Sequence, residues 1–144
     1  MTRRRKPASL VQRAAATEKT MQRYRHRPFD WATGGTCLHL ARAQMKNMGH
    51  RPPAIPKFST AMGAQRAMKA AGFATLADLF DSLLTRIAPA SMLVGDLAIV
   101  RGEDDLDSVV ISAGAGNLLG WHGADMSQLQ NIAEINDFIG AWRL

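Results

Sequence analysis

Cys37 is the single thiol in 144 residues, and its setting gives it chemical interest. Thr36 stands before it where a helix N-cap belongs, and Cys37, Ala41, Met45 and Met48 follow at spacings of four, four and three, on one helical face. A thiol in the first turn of a helix sees the positive end of the macrodipole, which lowers its pKa and favours the nucleophilic thiolate. The same placement equally suits a small buried side chain facing a sheet, because free cysteine is among the most buried residue types. Acyl transfer would require a base beside the thiol. His39 follows two residues later on the same helix, about 200° around it, and points away. His26 and His50 lie in loops without supporting partners. One Cys excludes an internal disulfide framework and a multi-cysteine metal site, and points to a reducing compartment.

Other groupings are less specific. Glu103, Asp104, Asp105 and Asp107 form an acidic run without the spacing or the glycine of a calcium loop, so a solvated turn is expected, with no metal and no cofactor. Gly114-Ala115-Gly116 lacks the third glycine and the following helix of a phosphate loop, and reads as a hairpin turn. The net charge of +6 is unevenly spread. Residues 1–27 hold Arg3, Arg4, Arg5, Lys6, Arg13, Lys19, Arg23, Arg25 and Arg27 against Glu18 alone, a charge of +8, which leaves −2 on the rest. Such a basic arm suits an acidic protein surface, nucleic acid or anionic lipid, or it packs on a neighbouring chain. Arg3, Arg4, Arg5, Lys6, Arg13, Arg23, Arg25 and Arg27 are its candidate partner contacts, and Tyr24 among them could stack on a base. The longest uncharged stretch, residues 108–124, is short and interrupted by four glycines, so no membrane span is expected. Residues 8–19 carry no apolar block, which argues against a secretory signal.

The elements that must position these groups follow from punctuation and period. Ser9 caps a helix to about Tyr24 with a narrow apolar stripe of Leu10, Ala14, Ala15 and Met21, weak enough to need a partner surface. Gly34-Gly35 forms a turn, and the Cys37 helix ends at Gly49. Pro52, Pro53 and Pro56 make the next segment a loop. Ser59 or Thr60 opens a short helix to about Ala71. Thr75 with Asp78 starts an amphipathic helix through Leu76, Leu79, Phe80, Leu83, Leu84 and Ile87, ended by Pro89. Strands are expected over residues 95–101, 108–113, 117–122 and 138–144, with residues 126–134 ambiguous. Helices first and an antiparallel sheet after make an α+β fold. The division expected is a basic arm and helix over 1–27 and an α+β domain over 28–144.

Phe29-Asp30-Trp31, the glycine turn and Thr36-Cys37 together resemble the "F-x-W-G-x-x-D-C" motif of the phage-encoded DUF6950 family, itself similar to NlpC/P60 cysteine peptidases. Gly72 with residues 75–79 is similar to the family's "G-x-x-s-l-x-d-l", residues 95–100 to its "G-D-v-a-v-v" strand, and Ala141-Trp142-Arg143 to its "a-W-r" close. The resemblance runs from Phe29 to the C-terminus and leaves the basic extension outside. Ala32 and Thr36 stand where the family has Gly and Asp. The resemblance implies a papain-like domain, a Cys-bearing helix on an antiparallel sheet. In NlpC/P60 peptidases the strand after "G-D" opens with a His; here Ser108 falls in that slot, and Gly120 falls near the third polar position. His122, two residues after Gly120, shares its strand face by alternation and is the remaining candidate base.

The resemblance therefore implies a structural component of a tailed-phage tail tip or baseplate, a virion protein assembled in the host cytoplasm beside hub, distal tail and host-contact proteins, with a degenerate site. An active cysteine peptidase or peptidoglycan hydrolase using Cys37 and His122 is the alternative. A nucleic-acid-binding accessory protein acting through residues 1–27 is the third.

Overall fold

A computed structural model describes residues 6–101, 107–122, 126–133, 135 and 137–144. Four helices precede the main sheet: α1 (Leu10–Tyr24), α2 (Cys37–Asn47), α3 (Ala61–Ala70) and α4 (Leu76–Leu83). The strands are β1 (Thr85–Ile87), β2 (Leu97–Arg101), β3 (Asp107–Gly114), β4 (Asn117–Gly120), β5 (Gln130–Ile132) and β6 (Phe138–Arg143). They form one antiparallel sheet in the order β1-β6-β2-β3-β4-β5. The α+β expectation is met, and all four helices start at the caps read from sequence: Ser9, Thr36, Thr60 and Thr75 each accept a backbone N–H three residues on. Ser9 and Gln12 complete a reciprocal capping box. Gly114, Ala115 and Gly116 all take positive φ in the turn between β3 and β4.

The helix expected to reach Ile87 stops at Leu83. Residues 85–87 become an edge strand whose Thr85, Arg86 and Ile87 pair with Arg143, Trp142 and Ala141. Leu84 leaves the helix in an extended conformation, and pairing with β6 then gives the backbone of residues 85–87 its partners. Phe80 alone of α4 is fully buried; it meets Trp142 edge-to-face at 5.3 Å.

The main core lies between the helices and one sheet face, built from Leu40, Ala41, Met45, Phe80, Leu97, Ile99, Val109, Ile111, Trp121 and Trp142. A second cluster, with Ala98, Val100, Val110, Leu118 and Ala141, occupies the other face beneath Met92, Ile132 and Phe138. Odd and even residues of β3 thus face opposite layers.

α1 is part of this packed body, which corrects the reading of residues 1–27 as an arm outside the core. Its inward face is mostly polar, so an apolar-stripe test underrates it: Arg13, Thr17, Thr20, Met21 and Tyr24 are buried. Thr20 Oγ1 lies 2.6 Å from Gln44 Oε1, Gln44 Nε2 donates to Thr17 Oγ1 and to the Gly95 carbonyl, and Asn47 Nδ2 donates to Thr20 Oγ1. Gly95 has φ +91° and an added Cβ would sit 3.1 Å from Thr17 Oγ1, so both backbone shape and proximity require glycine. Below this ladder, Arg13 donates to Asp96 Oδ1 at 2.9 Å, and Arg143 donates to Oδ2 at 2.8 Å. The backbone N–H groups of Leu93 and Leu144 complete four donors on a carboxylate with no solvent exposure.

Candidate functional site

Cys37 is delivered by a tight hairpin. Asp30 and Gly35 exchange backbone hydrogen bonds of 2.8 and 3.2 Å, and the Asp30 side chain accepts from the Ala32 N–H. A Cβ on Gly35 would meet the Pro28 carbonyl at 3.0 Å, so the turn closes only around a residue without one. Phe29 packs edge-to-face on Trp31 and on Trp121, whose indole N–H donates to the Arg27 carbonyl at 2.9 Å. Thr36, nearly inaccessible, caps α2, and Cys37 begins it with 9% exposure. The family-like aromatic residues therefore act as anchors that set the start of α2.

The thiol packs against β3. Burial pushes its pKa above the ordinary value; backbone N–H groups of Val109, Cys37 and Leu38 pull the other way, and the charge of Asp107 adds to the rise. The expectation of a lowered thiol pKa is corrected: desolvation outweighs the helix terminus. Asp107 itself is pushed upward by partial burial, opposed by Arg101 across the ladder.

Alternation also revises the strand slot. Val109 and Ile111 belong to the core layer that holds Cys37, whereas Ser108, between Asp107 and Val109 and opposite Val100, belongs to the other face. Asp107, not Ser108, borders the same groove as Cys37. Sequence reading grouped Asp107 with the acidic turn; its position two residues before Val109 on an alternating strand was the usable signal. Gly120 likewise faces away from Cys37: an added Cβ would lie 2.7 Å from Val110 Cγ1.

No hydrogen bond joins Cys37 to an imidazole among the described residues. His122 follows β4 half-buried, and its Nδ1 is buried without a hydrogen-bond partner. His39 turns to the far side of α2, with Nδ1 2.7 Å from Thr36 Oγ1 and its ring near Phe58. The groove beside Cys37 has a volume of about 460 Å³ and lies between α2, α3, α4 and the proline loop; its walls include Trp31, Met45, Phe58, Met68, Leu79 and Phe80. None of α3 is fully buried. Met45 and Met48 are core residues, Met68 lines the groove, and Met62 is exposed.

The candidate contacts of the arm separate. Arg13 is consumed by Asp96 and is unavailable to a partner, which corrects that assignment. Arg25 pairs with Glu18 at 3.4 Å on the surface, while Arg23 and Arg27 stack their guanidinium groups over Tyr24. Tyr24 is buried against Trp121, so it offers no free face to a base. Lys6 is exposed; Arg3, Arg4 and Arg5, and the acids Glu103, Asp104 and Asp105, lie outside the described residues. Among the described residues no group of three His, Cys, Asp or Glu could hold a metal ion, and no helix is long and apolar enough to cross a membrane.

Fold and groove together define a small α+β domain organised around a cysteine-bearing helix. The chain belongs to the DUF6950 family, a domain of unknown function, which it matches over residues 10–144. The match begins at the first residue of α1, so the helix expected to lie outside the likeness is part of the family domain, as its burial requires. No curated protein sequence matches the chain.

Proposed function

We propose that this chain is a non-catalytic, structural member of a phage tail tip, with an NlpC/P60-like frame whose thiol has lost its activating base. The observation that carries the reading is the setting of Cys37, a buried thiol with no imidazole hydrogen-bonded to it among the described residues, in a groove that Asp107 also borders. A nucleophilic thiol needs a group that accepts its proton and later protonates the leaving group. The surroundings of Cys37 do the reverse: burial disfavours the thiolate first, and the negative charge of Asp107 adds to it. An apolar groove beside a thiol without a base suits a protein that binds neighbours and does not turn over substrate. The likeness of the aromatic hairpin, the Gly95-Asp96 strand and the Trp142 close to the phage family supports the location at the tail tip, beside hub and host-contact proteins.

The test is a Cys37→Ser substitution in an assembling phage, together with assay of the purified chain on peptidoglycan fragments. Normal tails and no thiol-dependent cleavage are expected. Cleavage lost in Cys37→Ser, with a further loss in His122→Ala, would establish the peptidase instead. Asp107→His sharpens the result: placing an imidazole at the strand position that borders the groove of Cys37 should speed thiol alkylation at neutral pH. An unchanged rate would show that position 107 does not govern the thiol.

A further inference from the structure

A second concavity adjoins the first, shares Arg42, Ala54 and Ile55 with it but not Cys37, and is built from charge. His39, Arg42 and Lys46 recur at spacings of three and four, which sets them on one helical face, and Arg23 in the last turn of α1 closes the cleft. Tyr24, Ala43, Ala54 and Ile55 complete walls around a volume of about 290 Å³. The lining contains no acid. Among the described residues, Arg23, Arg42 and Lys46 form no ion pair, while Glu18, Asp81, Asp96 and Asp137 are engaged by other arginines. Two of the cations are held in place: Arg42 Nε donates to the Pro53 carbonyl at 2.9 Å, and Arg23 sits 5.3 Å from the Tyr24 ring centroid.

Three like charges gathered in one concavity repel each other unless an anion joins them. His39 registers that field. Burial first, then the charges of Arg27, Arg42 and Arg23, holds its imidazolium form below the ordinary range, while Thr36 and Phe58 are its uncharged neighbours. We propose that this cleft is a binding site for a phosphate group, gripped by Arg23, Arg42 and Lys46 with His39 at its wall. A phosphate dianion presents three strong acceptor oxygens and nearly two charges to three cations, whereas a lone carboxylate would leave two of them uncompensated. Guanidinium groups at fixed positions favour such forked acceptors. The site is independent of the fate of Cys37, which lies in the other groove. Sequence reading passed over Arg42 and Lys46 because they fall outside the basic N-terminal segment; their spacing from His39 was the available signal.

The experiment follows the His39 ring resonances of the full chain by NMR while inorganic phosphate is titrated in at constant ionic strength, with His39→Gln to assign them. A saturable rise in the His39 titration midpoint is expected, because a bound anion stabilises the imidazolium. Lys46→Ala, at an exposed position, and Arg42→Gln, at a half-buried one, should each weaken it roughly ten- to hundredfold, the range expected for losing one charge-assisted hydrogen bond. A short single-stranded oligonucleotide distinguishes the source of the phosphate. A response to inorganic phosphate alone would assign a small ligand with a terminal phosphate, the dianion argued for; a His39 response to the oligonucleotide at lower phosphate concentration would overturn that dianion, because a backbone phosphodiester carries one charge and two free oxygens. A phosphate response no greater than that to chloride, or one unchanged in both folded variants, would overturn the site.

Discussion

Two regions of this molecule handle polar groups in opposite ways. At the junction of α1, β2 and the C-terminus, Asp96 is fully buried and receives four donors, with Arg13 and Arg143 opposing its charge. At the start of α2, Cys37 is also buried, but its desolvation is not offset by a cation, and the carboxylate of Asp107 on the same groove further disfavours the thiolate. The first region spends its polar residues on joining distant segments: Arg13 and Asp96 are 83 positions apart, and Asp96 and Leu144 are 48 apart. The second offers an apolar groove bordered by α3, none of whose residues is fully buried. Structural integrity and any residual reactivity are therefore carried by different residues, and each can be altered with the other left standing.

Removing residues 1–27 tests the contrast most severely. It uncovers the core beneath α1 and deprives Gln44 of Thr17 and Thr20 and Asp96 of Arg13, so cooperative thermal unfolding should disappear; a folded, soluble remainder would return α1 to the role of an appendage. Asp96→Ala should come next. It leaves Arg13 buried without a counter-charge, a situation that costs about 3–5 kcal/mol, measurable by urea unfolding. A loss below about 1 kcal/mol, the range of exposed pairs, would show that the junction is not the keystone inferred. Cys37→Ala should cost only about 1 kcal/mol, the value of a small buried group. A much larger loss would mean that the thiol is integral to packing. His39→Gln should have the smallest effect and a defined window. The folded imidazole binds its proton below 6.5, the unfolded one near it, so stability declines as pH falls from about 6.5 through the lower folded value. The glutamine variant should lack that part of the decline when unfolding is compared between pH 7 and pH 5.

Local chemistry made much of the fold legible. Four caps, the glycine turn before Cys37, the Gly114–Gly116 hairpin and the strands after Gly95 other than β5 all depend on a few adjacent residues and are readable from them, whereas residues 126–134 stay ambiguous until β5 pairs with β4. The amphipathic period of residues 76–87 was misread only at its end, where Arg86 and Ile87 found partners in β6 that no local pattern announces. α1 was placed correctly but its role was not, because burial of Arg13, Thr17 and Thr20 makes sense only beside Gln44 and Asp96.

The candidate site divides along the same line. That Cys37 opens a helix was determined by Thr36 and the spacing behind it, since capping and periodicity act over one or two turns. Which strand residue would border it was a question of sheet face, and a one-residue shift exchanges Asp107 for Ser108. The balance between the helix terminus and burial likewise awaited the third dimension, because desolvation depends on every atom packed around the sulfur. The sequence alone determined where helices start, where turns fall and which residue carries the thiol. Only the tertiary structure decided what those residues face, because facing is a property of segments far apart in the chain brought to one place.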